Sequence, residues 1–371
     1  MPRVYVNLTA STDRSYAIDI RPGVLTELPD LVASLAGAAR VFLITDSTVA
    51  RLYGRAAHRA LAAHGLRTLL LEVPAGEASK SPRVVLALQT RLLKEGVTRD
   101  SLVIAFGGGV IGDLAGYVAA TVLRGIRFLQ VPTTLLAQVD SSVGGKVGIN
   151  HPVGKNLIGA FHQPSAVTID PLVLRTLPAA EFRNGMAEVV KIAAALDGDF
   201  FSFLARNFKE IGPAKMRLMT DVINRAAGLK AAVVEKDEKE TGLRKSLNLG
   251  HTIGHALEAG THFKLRHGEA VSIGMVAEGR IAVALDMLSA REFGLLERTL
   301  ASFGLPTALP RKVDRNAFDA ALALDKKGDA AGVKFALLTR IGSCALGVPV
   351  SPALIHKYGG GEGINSGGKH R

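Results

Sequence analysis

Three histidines and one glutamate are the residues of this chain best suited to hold a metal ion. His251 and His255 stand four apart in Asn248-Leu-Gly-His-Thr-Ile-Gly-His255, so on a helix they project from one face. His267 follows in Arg266-His-Gly-Glu269, and Glu188 lies far upstream in Asn184-Gly-Met-Ala-Glu-Val-Val-Lys191. Two imidazoles and one carboxylate, with a coordination position left open, make a catalytic zinc set. Spacing alone does not bring Glu188 to His251 and His267. A histidine pair four apart is more often packing than ligation. Glu269 suits a helix start at least as well as a partner to a liganded histidine.

A second group of residues suits anions. Ser101–Phe106 is a short apolar run, followed by Gly107-Gly-Gly-Val-Ile-Gly-Asp113 and a helical stretch through Ala120. Strand, glycine turn, helix is the order a phosphate site needs, because the helix start points free N–H groups at the anion. The same turn also serves as a tight strand–helix connection. Further along stand Arg124, Thr133, Thr134, Asp140, Lys146, Lys155 and Asn156. Lys146 ends Gly144-Gly145-Lys146 and Lys155 sits in Gly154-Lys155-Asn156. Lysines in glycine-rich loops suit a phosphate or carboxylate, where backbone donors and cations converge.

These residues must be positioned by regular elements. Tyr16–Ile20, Val41–Thr45, Thr68–Val73, Ser101–Phe106, Phe128–Val131 and Val167–Asp170 read as strands. Their alternation with helical stretches predicts an α/β layer with a mostly parallel sheet. Asp46, ending the second strand, can cap the next helix or hydrogen-bond a ribose hydroxyl. After Leu177-Pro178 the chain reads helical almost to Phe303, which places a domain boundary near Pro178. The expected division is residues 1–178, 179–357 and a glycine-rich, disordered tail over 358–371. Val333–Leu338 and Cys344–Val348 suggest a closing hairpin. The charged run Glu235–Glu240 reads as a solvated turn without chemistry.

Composition narrows the classes. A chain of 371 residues, 48% apolar, can bury two cores. It shows no apolar run of membrane-spanning length, and its start lacks the apolar core of a secretory signal. The single Cys344, read as a buried thiol, excludes an internal disulfide and fits a reducing, cytoplasmic setting. A net charge of +12 can serve nucleic acid or anionic small ligands. The chain has no tryptophan and no basic run interleaved with aromatics, and one cysteine rules out a Cys/His finger. Small anionic substrates are therefore favoured, with neither nucleic acid nor membrane as partner.

Several long motifs recur in order. Gly107–Asp113, Leu123-Arg-Gly125, Val131-Pro-Thr-Thr-Leu-Leu136, Val139-Asp-Ser-Ser-Val-Gly-Gly-Lys146 and Gly154-Lys-Asn-Leu-Ile-Gly-Ala-Phe-His-Gln-Pro164 closely resemble the 3-dehydroquinate synthase family. These are NAD- and metal-dependent sugar-phosphate cyclases. The resemblance runs from about Val41 to Arg340. It implies a Rossmann-like, NAD-binding α/β N-terminal domain and a mainly α-helical C-terminal domain for metal and substrate. By match, Glu188, His251 and His267 bind the divalent metal, zinc in the first place and cobalt as the alternative. His255 lies beside them as an acid/base or substrate contact. Asp46, Glu77, Lys80, Gly108, Gly109, Val110, Asp113, Thr133, Thr134, Asp140, Lys146 and Lys155 are assigned to NAD. Arg124, Lys146, Lys155, Asn156, Lys191, Lys230, Arg244 and Asn248 are assigned to catalysis and substrate. Asp325-Lys326-Lys327-Gly328 matches a late family motif, in which Lys326 is given the phosphate. A homodimer is also implied.

The implied reaction converts 3-deoxy-D-arabino-heptulosonate 7-phosphate to 3-dehydroquinate and phosphate. It proceeds by transient oxidation with NAD, β-elimination of phosphate, reduction and intramolecular aldol closure. Ile192 departs from the polar or aromatic residue many family members carry there. That leaves room for a sister cyclase making 2-deoxy-scyllo-inosose or 2-epi-5-epi-valiolone. A metal-dependent polyol dehydrogenase is the other alternative.

Overall fold

The apolar segments of the first half pair into one sheet with helices on both faces. In the computed structural model, which describes residues 14–325 and 333–360, this half runs β1 (Ala17–Ile20), α1 (Leu28–Ala36), β2 (Val41–Asp46), α2 (Ser47–Val49), α3 (Arg55–Ala63), β3 (Thr68–Val73), α4 (Pro82–Lys94), β4 (Leu102–Gly107), α5 (Gly109–Thr121), β5 (Arg127–Pro132), β6 (Lys146–His151), β7 (Gly154–Phe161) and β8 (Ala166–Ile169). The six-stranded sheet has the order β1-β8-β5-β4-β2-β3, and every pairing in it is parallel.

Burial on both faces explains why β4 is apolar throughout. Leu102, Ile104 and Phe106 pack with Val32 of α1 and Leu61 of α3. The alternate residues Val103 and Ala105 pack with Leu92 of α4 and Leu114 of α5. The chain leaves β2 for β3 on one side and returns to β4 on the other. That reversal opens a crevice at the carboxyl ends of β2 and β4, where Asp46 and Gly107–Gly109 lie.

Lys146 and Lys155 do not sit in loops, as their glycine neighbours suggested. Lys146 opens β6 and Lys155 is the second residue of β7 in a separate antiparallel hairpin, in which Lys146 pairs with Phe161 and His151 with Gly154. Val147 and Ile149 explain it. Two apart on β6, both are buried against α5, so the segment has a strand's one apolar face.

The second half is α6 (Ala179–Leu196), α7 (Gly198–Asn207), α8 (Met216–Lys236), α9 (His251–Gly260), α10 (His267–Ala284), α11 (Ala290–Ser302), α12 (Arg315–Asp325), the hairpin β9 (Lys334–Arg340) and β10 (Ser343–Pro349), and α13 (Pro352–Gly359). α10 is apolar nearly all round because it is buried among its neighbours. The largest core joins Leu135, Val139 and Val167 of the first half to Met186, Val190 and Phe200 of the second. Pro178 therefore marks a change of architecture, not a break in packing. α13 continues to Gly359, two residues into the stretch expected to be disordered, and Tyr358 packs on the core. Residues 361–371 and Lys326 lie outside the described residues. Among those residues no helix is long and apolar enough to cross a membrane.

Candidate active site between the sheet and the helices

Close helix contacts bring Glu188, His251 and His267 together. Glu188 is fully buried within α6, while His251 and His267 open α9 and α10. Gly268 sets the contact between α10 and α6: its N–H donates to Asn184 Oδ1 at 2.5 Å, and a side chain there would strike the Asn184 carbonyl. Gly274 likewise leaves room for the carbonyl of Gly250, just before α9. One ligand atom from each of the three residues lies within 4.8 Å of the others. Glu188 Oε1 is 3.4 Å from His267 Nε2 and 3.7 Å from His251 Nε2.

This trio fits a divalent cation. Both Glu188 oxygens are buried and neither accepts a well-formed hydrogen bond, although Lys191 Nζ lies 2.5 Å from Oε2. A buried carboxylate with uncommitted lone pairs facing two imidazoles is what such an ion stabilises. Burial pushes the Glu188 carboxyl up, but Lys191, His267 and His251 outweigh it and hold the group well below the carboxylate range. Burial and Lys191 keep His251 neutral, as a ligand must be. At His267 burial opposes charge, yet the facing Glu188 and Glu258 carboxylates raise it to about 10, so a cation taken up there would displace the Nε2 proton. His255, Glu258 and His267 form a second close trio. There, however, the carboxylate is already committed, with Oε1 on Lys155 and Oε2 toward His267. His255 stands beside the first trio, its ring centre 5.2 Å from that of His251.

Around the histidines each lysine meets a carboxylate. Lys230 Nζ donates to Asp140 Oδ1 at 2.5 Å and to the Asp140 carbonyl at 2.6 Å. Lys155 donates to Glu258 at 2.8 Å, Lys80 to Asp113 at 2.6 Å, and Lys146 to Glu240. Such pairing keeps these cations, buried at Lys80 and Lys230, in place before any anion arrives. Arg244, buried, donates to the carbonyls of Gly144 and Glu238. Burial, with Arg244 and Lys230 nearby, pushes Lys146 down to about 8, against the pull of Asp140.

Two acids here escaped sequence reasoning. Glu240, in the run read as a solvated turn, accepts from Lys146 and, at 2.8 Å, from Asn248 Nδ2. The turn folds inward because Asp237 accepts the backbone N–H groups of Thr241, Gly242 and Arg244. Those bonds outweigh burial and hold Asp237 at about 2. Glu258 did carry a signal: it is seven residues after His251 and three after His255, on the same helix face.

The other side of the cleft is a helix start and its surroundings. Gly108 precedes α5 with no side-chain cap, so the N–H groups of Gly109 and Val110 begin an open anion-facing turn. Asp46 caps α2, its Oδ1 accepting from Thr48 N at 2.8 Å and Val49 N at 3.0 Å. Glu77 accepts from Asn150 at 2.7 Å, and Lys80 also donates to Asn156 Oδ1. Thr134 Oγ1 accepts from Ala137 N at 3.2 Å, whereas Thr133 Oγ1 is buried without a partner. An orphaned hydroxyl beside an uncapped helix start, at the crevice of a parallel sheet, fits a dinucleotide.

Arg124 does not join this cluster within the chain. It lies exposed in the turn after α5, with φ of 66°. The thirteen residues of α5 separate it from the glycine turn by roughly 20 Å.

Comparison with known proteins agrees with this geometry. The 3-dehydroquinate synthase N-terminal family matches residues 70–184, and the C-terminal family matches residues 185–328. A 3-dehydroquinate synthase of Nostoc punctiforme is 46% identical over 89% of this chain and 92% of its own length. One from Synechococcus sp. is 48% identical over 84% and 85%. A solved 2-epi-5-epi-valiolone synthase from Streptomyces hygroscopicus subsp. jinggangensis, with NAD+ and Zn2+ bound, superposes with a TM-score of 0.86 at 28% identity, covering 95% of this chain and 98% of that one. A 2-deoxy-scyllo-inosose synthase complexed with carbaglucose-6-phosphate, NAD+ and Co2+ gives 0.81 at 28%, covering 92% and 94%. With both halves matched and curated relatives close to half identical, the chain belongs to the 3-dehydroquinate synthase family.

Proposed function

We propose that this chain is an NAD- and divalent-metal-dependent 3-dehydroquinate synthase, a carbon–oxygen lyase that releases phosphate from 3-deoxy-D-arabino-heptulosonate 7-phosphate and closes the carbocycle. The observation that carries the reading is the buried Glu188 carboxylate facing His251 and His267 inside a ring of lysines. The relatives of the same name, 46% and 48% identical, support it.

Glu188, His251 and His267 would hold zinc or cobalt. The α5 start, with Asp46, Glu77, Lys80, Asp113, Thr133, Thr134 and Asp140, would hold the dinucleotide. When bound, the two groups supply a Lewis acid and a reversible hydride acceptor. The chain's own residues then have distinct tasks. Lys146, Lys155 and Asn156 take the phosphate end, where Glu240 and Glu258 now occupy the two ammonium groups. Arg244 and Asn248 suit the carboxylate end. Lys191 and Lys230, buried and anchored on Glu188 and Asp140, keep the positive potential that favours loss of an anionic leaving group. His255, beside the ring of His251, would hold a proton near the reacting hydroxyl. Fixing both ends of the sugar phosphate sets the geometry for ring closure. A homodimer in the cytoplasm completes the reading.

The test is phosphate release from the heptulosonate phosphate by the full chain with NAD+ and Zn2+, without net NADH accumulation. The solved neighbours are sister cyclases, so their sugar phosphates are the control substrates. Faster release from a control, or net NADH from a polyol, would assign the chain elsewhere.

A further inference from the structure

We infer that Glu258 is a positioning residue of the metal centre: it selects the ring nitrogen that His267 turns to the metal and holds Lys155 in the cleft. The inference rests on the metal reading above. Glu258 is 2% exposed, and its two oxygens serve different partners. Oε1 accepts from Lys155 Nζ at 2.8 Å, and Oε2 lies 3.5 Å from His267 Nδ1. His267 therefore stands between two carboxylates, with Nδ1 toward Glu258 and Nε2 3.4 Å from Glu188 Oε1. An Nδ1–H donated to Glu258 leaves the Nε2 lone pair free for the cation and makes the imidazole a stronger ligand. The other oxygen reaches out of the helical half to Lys155 on β7. The ring of Phe263, 4.6 Å from Lys155 Nζ, lies against this ammonium. One side chain thus ties a metal-facing histidine to a cation of the phosphate end.

The experiment measures Zn2+ affinity on the full chain, without NAD+ or substrate, by competition with a chromophoric chelator. Glu258→Ala and Glu258→Gln are expected to weaken it about 10–100-fold. The Co2+-loaded variants should show shifted visible bands. Lys155→Met should leave Zn2+ affinity near the wild-type value while weakening inorganic phosphate binding, because Lys155 does not touch His267. A folded Glu258→Ala chain with wild-type Zn2+ affinity overturns the inference. So does an equal loss in Lys155→Met, which would make the effect one of disturbed packing, since removing a nearby cation should by charge alone strengthen Zn2+ binding. If Glu258→Ala does not fold, 15N-histidine spectra of the wild-type Zn2+ form decide. Nε2 coordination with a protonated Nδ1 at His267 supports the inference, and Nδ1 coordination overturns it. Failure of the function reading would appear separately, as wild-type chain that binds Zn2+ but releases no phosphate.

Discussion

Around Gly107–Asp113 the ligand-facing groups are neighbours in sequence: a strand end, a glycine turn and the first N–H groups of a helix. Around Glu188 they are neighbours only after α6, α9 and α10 have packed. The first region uses backbone, which any sequence able to make that turn presents correctly. The second uses side chains whose meeting depends on glycines such as Gly268 and Gly274, where helices approach too closely for a Cβ. The two regions should therefore fail differently. The backbone-built region should tolerate single side-chain changes outside its glycines, since a Cβ at Gly107 or Gly108 would meet Ile111 or Thr134. The side-chain-built region should lose its function to one atom too few or too many.

The largest effect is expected at Glu188. Glu188→Ala removes the central member of the proposed ligand set and leaves Lys191 buried without its carboxylate. Phosphate release should fall by at least about 10³-fold, about 4 kcal/mol, which is the scale of a metal's charge stabilisation. Metal analysis of the purified variant should show the ion lost. A variant that keeps both would break the contrast outright.

Gly268→Val tests packing without touching a ligand. The added side chain meets the Asn184 carbonyl, so α10 must shift from α6. Thermal melts should report about 1–3 kcal/mol of destabilisation, and Zn2+ titration a matching loss of affinity. Unchanged Zn2+ affinity would mean that the glycine contact does not set the His267 position.

Lys146 gives a pH signature. Its ammonium, pushed down to about 8, is charged below that pH and lost above it. KM for the sugar phosphate should therefore rise above pH about 8, by at most about tenfold per pH unit, with kcat little changed. In Lys146→Met the KM should be high and flat across this range. A wild-type KM independent of pH from 7 to 9.5, a range spanning about 1 unit below and 1.5 above, would remove Lys146 from the phosphate end.

The smallest change is expected at Asp46, which has two separable roles. Asn caps helices as well as Asp, so Asp46→Asn should leave stability within about 0.5 kcal/mol. If the carboxylate also holds a ribose hydroxyl, NAD+ binding should weaken about tenfold, the worth of one charge-assisted hydrogen bond. Calorimetry with NAD+ beside a thermal melt separates the two. Equal NAD+ affinity would leave Asp46 as a cap alone.

Much was legible beforehand. The six sheet strands stood where apolar runs placed them, since a strand buried on both faces must be apolar at every position, as β4 is. The glycines beside Lys146 and Lys155 mask the two-residue period of Val147 and Ile149, so a segment that reads as loop folds as a hairpin. The role of Glu240 is not legible in sequence, because a charged run reads as solvated and only the backbone N–H groups gathered by Asp237 turn it inward.

The sequence by itself determined the local devices: which segments become strands, where a helix starts uncapped, and which side chains are chemically able to hold a cation or an anion. These follow from short-range sterics and periodicity. Only the tertiary structure decided that Glu188, His251 and His267 share one space, and which carboxylate each lysine meets. Those distances span helices and strands remote in the chain, and they are set by close packing rather than by any residue's own preference.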